Sequence, residues 1–144
     1  MSLVIRPLEH NDFPAWLPLW DANNLGQRDE AVTSETWSRL IDPASKVCGL
    51  VAEDQGKIVG LLHYVLHPTT GAIADVCYMQ DVFVAEEQRG KGVAKKMVQA
   101  LAAEGRKKKW ARMYWLAESN NEAAHGLYKN LGVKLNFTLY MMGF

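Results

Sequence analysis

Val93, Ala94, Met97, Val98, Leu101 and Ala102 recur at three- and four-residue spacing, the apolar stripe of an amphipathic helix. Before that stripe, Ala74 to Val84 is apolar at successive positions, the pattern of a strand central in its sheet. Val47–Glu53 and Lys57–Leu66 read as two more strands, joined at Asp54-Gln55-Gly56 by a turn of hairpin type. Leu3–Ile5 gives a short first strand ahead of Pro7. Asn11 or Asp12 is placed to cap a helix whose Phe13, Trp16, Leu17 and Trp20 follow helical spacing. Thr33 or Ser34 opens a second helix through Trp37 and Leu40, which ends before Pro43. Further on, Ala111–Leu116 reads as a strand, Asn121 caps a helix through Leu127 and Leu131 that Gly132 ends, and Val133–Met142 supplies a last strand. This order predicts an α/β (α+β) fold with a mixed, mostly antiparallel sheet of about six to seven strands and about four helices on both faces.

Composition narrows the class. The 144 residues suit a single domain over 1–144 with a sizeable core. Sixteen basic residues balance sixteen acidic ones, so the chain is not expected to bind nucleic acid or a membrane surface. No apolar run approaches the ~20 residues of a membrane span, and no signal-peptide core opens the chain. Cys48 and Cys77 fall in apolar strands and suit free thiols in a reducing compartment, which makes the cytoplasm the expected location. His63 and His67, with scattered acids, fall short of a ligand set, so no metal is expected. Trp110 and Trp115 read as core.

The stretch with chemistry in it lies between the central strand and the striped helix. Gly90 and Gly92 permit a sharp bend and close approach of another molecule. The helix beginning there leaves its first N–H groups without partners at the positive end of its dipole, an anion cradle suited to a pyrophosphate. Lys95 stands where a dinucleotide-binding fingerprint needs its third glycine, and the P-loop spacing is absent. Instead Arg89-Gly90-Lys91-Gly92-Val93-Ala94 follows Val82-Phe83-Val84 directly. A second segment places Asn121, Ala124, Leu127, Tyr128 and Gly132 at spacings 3, 3, 1 and 4, with Val133 after the glycine.

With these two segments in this order the chain resembles the GNAT family of N-acetyltransferases, from about Val47 to Tyr140. The usual form of the second segment ends Gly-Phe, so Val133 departs from it. The resemblance implies a sheet splayed between strands four and five, with acetyl-coenzyme A (acetyl-CoA) as acetyl donor lying in the gap. By matching position, Val82, Phe83 and Val84 supply main-chain contacts to pantetheine, and the Val84 N–H is the candidate donor to the oxyanion. Arg89, Gly90, Lys91, Gly92, Val93, Ala94 and Lys95 hold the pyrophosphate. Asn121 and Ala124 lie along the same molecule, and Tyr128 is the candidate acid for the leaving thiolate. The cations Arg106 to Lys109 are either a solvated helix end or a contact to the 3′-phosphate.

The acceptor side is more open. The chain is most similar to the subset of spermidine/spermine, thialysine and small histone-type acetyltransferases; the first two show Glu-Asp where Gln80-Asp81 stands here, and Gln80 cannot take a proton. Asp81 is a base acting through water, an orienting group for the amine, or a structural partner of nearby backbone. A regular strand puts Gln80 on the face of Val82 and Val84 and Asp81 on the other, and a bulge would reverse this. Trp20 and Asp21, with Asp29 and Glu30, fall in the helix–loop–helix region that forms the acceptor pocket in the family. The expected reaction is direct attack by a small-molecule primary amine in a ternary complex. A protein lysine or amino terminus, or a non-catalytic acyl-CoA sensor, is the alternative. The apolar tail Phe137–Phe144 could serve a homodimer or form a core strand.

Overall fold

The computed structural model describes Ser2–Phe144. One five-stranded sheet runs in the order β1 (Leu3–Pro7), β2 (Val47–Asp54), β3 (Lys57–His67), β4 (Val76–Val84), β5 (Met113–Trp115). Neighbours are antiparallel except β4 and β5, which are parallel. Helices α1 (Phe13–Asn23) and α2 (Glu30–Ile41) separate β1 from β2. Helix α3 (Val93–Lys108) connects β4 to β5, and α4 (Glu122–Tyr128) follows.

The predicted hairpin is present. Gln55 and Gly56 have φ of 51° and 77°, and Asp54 pairs with Lys57 across the two-residue turn. The striped helix packs its Val93, Met97, Val98 and Leu101 on one face of the sheet, against Ala52, Leu62, Cys77, Met79 and Val84. On the other face α1 and α2 bring Trp16, Trp20, Trp37 and Leu40 onto Leu61. Helices therefore cover both faces, as the alternation of β3 and β4 requires.

Several expectations are corrected. The sheet has five strands rather than six or seven, because Val133–Met142 forms no strand. Among the described residues that tail finds no neighbouring edge, and Phe137 and Tyr140 stay 86% and 89% exposed. Helix α2 starts a turn earlier than Thr33, because the Asp29 carboxylate accepts the Val32 N–H at 3.0 Å and caps it there. Asp12 precedes α1 but makes no side-chain cap to it. Its carboxylate instead accepts both Arg6 guanidinium nitrogens at 2.8 and 2.9 Å and the Glu9 N–H at 2.8 Å. Strands β4 and β5 are shorter than predicted, and pair only through Cys77–Met79 and Met113–Trp115.

Register settles the question of the bulge. His63 pairs with Asp81 but Tyr64 pairs with Met79, so Gln80 is the extra residue. The bulge keeps Cys77, Met79, Val82 and Val84 packed on the α3 side, while Phe83 packs with α1 and α2. Asp81 thus stays on the face opposite Val82 and Val84, beside His63.

Arg6 and Asp12 tie β1 to the start of α1. The Arg6 hydrogen bonds, opposed in part by desolvation, hold the Asp12 carboxyl below its ordinary value of 3.8. A depressed pKa means stability present above the unfolded value and lost as pH falls below it. Asp12→Ala should cost about 1–3 kcal/mol at pH 7 in urea unfolding, and the difference from wild type should shrink below pH 4.

Candidate active site

The turn between β4 and α3 is built by two left-handed glycines. Gly90 and Gly92 have φ of 77° and 81°, a region a side chain enters at a cost of about 1–2 kcal/mol. No atom lies within 4 Å of a Cβ placed on either, so the requirement is conformational and the space above the turn is open. Among the described residues no acceptor takes the N–H groups from Gly90 to Lys95; the first bond of the helix is Lys96 N–H to Gly92 C=O at 3.1 Å. With no acid in the first turn, this end of a 16-residue helix is electropositive and can receive a phosphate. Arg89 does not reach outward: its Nε donates to Val84 C=O at 3.1 Å and its guanidinium lies 5.2 Å from the Phe83 ring centroid. Arg89 braces the turn against β4, and the cradle itself is main chain.

The edge of β4 beyond the bulge faces a gap. Pairing with β5 stops at Met79, so Gln80 to Val84 has a partner on the β3 side alone. Ala85 N–H donates toward β3, to Val59 C=O at 2.8 Å. Because direction alternates along a strand, the Val84 N–H and C=O point the other way, into the gap. The Val84 carbonyl is engaged by Arg89, which leaves its N–H free to meet a ligand. Helix α4 follows β5 in the chain, and its Tyr128 packs on Trp115 of that strand. Its Asn121 side chain accepts the Ala124 N–H at 3.1 Å, as the sequence predicts. The Tyr128 ring packs 5.5 Å from that of Trp115, and burial pushes its phenol up from the ordinary value of 10.

A model of the acetyltransferase (GNAT) family matches residues 8–133. The chain belongs to the GNAT family. It is an acetyl-CoA-dependent N-acetyltransferase. It is 31% identical over 143 residues to the D-amino-acid N-acetyltransferase of Saccharomyces cerevisiae, covering 96% of this chain and 89% of that one. The crystal structure of ribosomal-protein-alanine N-acetyltransferase from Brucella melitensis superposes with a TM-score of 0.84 at 20% identity, over 100% of both chains. The aminoglycoside acetyltransferase AAC(6′)-Iy, in complex with a CoA bisubstrate analogue, gives 0.83 at 19% identity, over 99% of this chain and 98% of that one. These two likenesses show the GNAT fold.

Around Asp81, an acceptor-side candidate from the sequence, the structure gathers His63 and Asn23, which were not candidates for it. Asp81, 26% exposed at its side chain, lies 3.0 Å from His63 Nδ1. Asn23, at the end of α1, reaches its other oxygen at 3.3 Å. His63 is buried, and its Nε2 receives the Trp16 indole N–H at 3.0 Å. His63 sits across from Asp81 only once the register is known, so the sequence could not join them. Asn23 also lines a cavity of about 340 Å³ between α1 and α2, with Trp20, Leu25 and Val32. Trp20 is anchored from within by its Nε1–H to Thr33 Oγ1 at 2.9 Å. Asp21 is engaged by Arg28 at 2.6 and 2.9 Å, so its charge is neutralised locally. Gln80, the bulge residue, is exposed and stands outside the Asp81 cluster. No group of three or more His, Cys, Asp or Glu among the described residues could hold a metal.

The glycine turn gives a direct test. Gly92→Ala forces a left-handed alanine at the start of α3, and CoA should bind roughly ten-fold more weakly by calorimetry, in line with about 1–2 kcal/mol of strain. Unchanged affinity would show that the turn does not hold the diphosphate.

Proposed function

We propose that this GNAT enzyme transfers acetyl from acetyl-CoA to the primary amine of a small, amino-acid-like molecule, by direct attack in a ternary complex. The observation that carries this reading is the gap beside β4, with the unpartnered amides of Gly90–Lys95 at its end. The pyrophosphate would sit on those amides, and pantetheine would run along Val82–Val84 as an added strand. The amine nitrogen attacks the thioester carbon while the Val84 N–H steadies the developing oxyanion. As the C–S bond breaks, the Tyr128 phenol gives its proton to the sulfur, and the proton leaving the nitrogen passes to water near Asp81. The 31% identity over 143 residues to a D-amino-acid acetyltransferase favours a small acceptor over a protein lysine or amino terminus. Free Cys48 and Cys77 support a reducing, cytoplasmic setting, and burial pushes the Cys77 thiol up to about 12.

Thiol release with a panel of D- and L-amino acids, polyamines and peptides tests the assignment. Turnover confined to peptides would replace it with the protein-acetylating alternative, and CoA binding without release on any acceptor would leave a sensor. Tyr128→Phe should lower kcat about 100-fold, within the range for a lost general acid, with the KM for acetyl-CoA little changed. Burial raises this phenol, and the acid must be protonated to act. The midpoint of any fall in wild-type kcat from its loss of a proton should therefore lie above pH 10.

We also propose a homodimer in which each tail completes the other's sheet. Val133, Leu135, Phe137, Leu139 and Met141 alternate with Lys134, Asn136, Thr138 and Tyr140, the pattern of a half-buried strand. That segment joins no sheet, and β5 has no outer neighbour among the described residues. Beside β5 lies a groove of about 690 Å³ lined by Trp110, Met113, Trp115 and Leu131. No tail residue lines that groove and Phe137 and Tyr140 are exposed, so a second copy's tail is the strand proposed to fill it. Light scattering should give twice the 16.2 kDa chain mass. Phe137→Asp, or truncation after Gly132, should return the protein to one chain. A wild-type monomer, or a dimer indifferent to both changes, would refute the exchange.

A further inference from the structure

The buried chain Trp16–His63–Asp81 has a direction fixed by chemistry. An indole N–H can only donate, so His63 Nε2, 3.0 Å from Trp16 Nε1, must present its lone pair. The single ring proton therefore sits on Nδ1 and is donated to Asp81 Oδ2 at 3.0 Å. Asn23 Nδ2 donates to Asp81 Oδ1 at 3.3 Å, so both carboxylate oxygens are held from behind. The ring is walled by α1, which brings Trp16 and Trp20, and by β2, whose Gly49 backs onto it. Asp81 from β4 is the charged group against it.

Each member is itself immobilised. Trp16 is fully buried, stacked on Trp20 at 5.3 Å with an angle of 12° and lying 4.9 Å from the Trp37 ring. Trp20 is tied to Thr33 on α2. Side chains from α1 and β3 thus converge on one carboxylate, with α2 holding Trp20 behind them, and the series runs from full burial at Trp16 to a 26% exposed side chain at Asp81. A core serving stability alone would be filled with less desolvation cost by an apolar residue at 63.

We propose that His63, backed by Trp16, is a positioning residue for the acceptor amine. It locks Asp81 in one orientation, so that the outward lone pairs of the carboxylate receive the acceptor's N–H groups in line with the gap beside β4. The inference rests on the reading above that the acceptor binds at Asp81. His63 takes no proton from the amine in this arrangement, because its one free lone pair already belongs to Trp16.

Steady-state kinetics of His63→Leu, His63→Gln, Asp81→Asn and the His63→Leu/Asp81→Asn pair separate the possibilities, with D-alanine or the fastest amine of the panel as acceptor. His63→Leu should raise the acceptor KM about ten-fold or more and leave the KM for acetyl-CoA unchanged. His63→Gln, whose amide offers one donor and one acceptor, should recover most of that loss. The double variant should be no worse than Asp81→Asn alone, the mark of two residues acting as one. Nitrogen NMR of the wild-type ring should show the proton on Nδ1, a readout that does not depend on any variant folding. An acceptor KM unmoved by His63→Leu but raised by Asp81→Asn would overturn the positioning role while leaving Asp81 in place. So would a ring protonated on Nε2. An acceptor KM unmoved by Asp81→Asn would remove the acceptor reading itself, and this inference with it.

Discussion

The parallel pairing of β4 with β5 stops after three residues, at Met79, and the rest of the molecule's chemistry depends on that stop. A continuous ladder would occupy the outward N–H groups of Val82–Val84 and leave no place for a ligand strand. The single extra residue Gln80 marks the point of release. It bends β4 and strengthens its twist, and yet it keeps apolar side chains on the α3 face on both sides of the bulge. The opening in the sheet is therefore made without exposing the core.

Two different devices hold the two halves of the site. In the proposed site the donor side is almost wholly main chain: left-handed glycines leave free amides where a phosphate would sit, and Arg89 stiffens the turn. Main-chain donors are preorganised by the helix they begin, so little is lost in ordering them. On the proposed acceptor side the side chains are fixed in orientation through layers: Thr33 holds Trp20, the tryptophans stack, and Trp16 sets the tautomer of His63. The same aromatic cluster that forms one of the two cores thus also aims a carboxylate.

Local signals were legible in the sequence, and long-range partnerships were not. The Gly90/Gly92 turn, the Asn121 cap, the Gln55-Gly56 hairpin and the α3 stripe all follow from neighbours in the chain, and the structure contains each. The start of α2 was misplaced because Asp29 and Thr33 are both good caps, and the Trp20–Thr33 hydrogen bond that makes Thr33 interior spans two helices. Asp12 looked like a cap because nothing local reveals Arg6 reaching it from β1. His63 joins Asp81 across 18 positions, and only the bulged register brings them level. The tail carries a strand's alternation but pairs with no edge among the described residues, so the expected last strand does not form.

Amide NMR during titration with CoA tests the central claim most directly. The account predicts that the largest shifts fall on the N–H groups of Gly90 to Lys95 and of Val84, which have no partner among the described residues. Saturable binding that left those amides unmoved, with the changes elsewhere on the sheet, would contradict it.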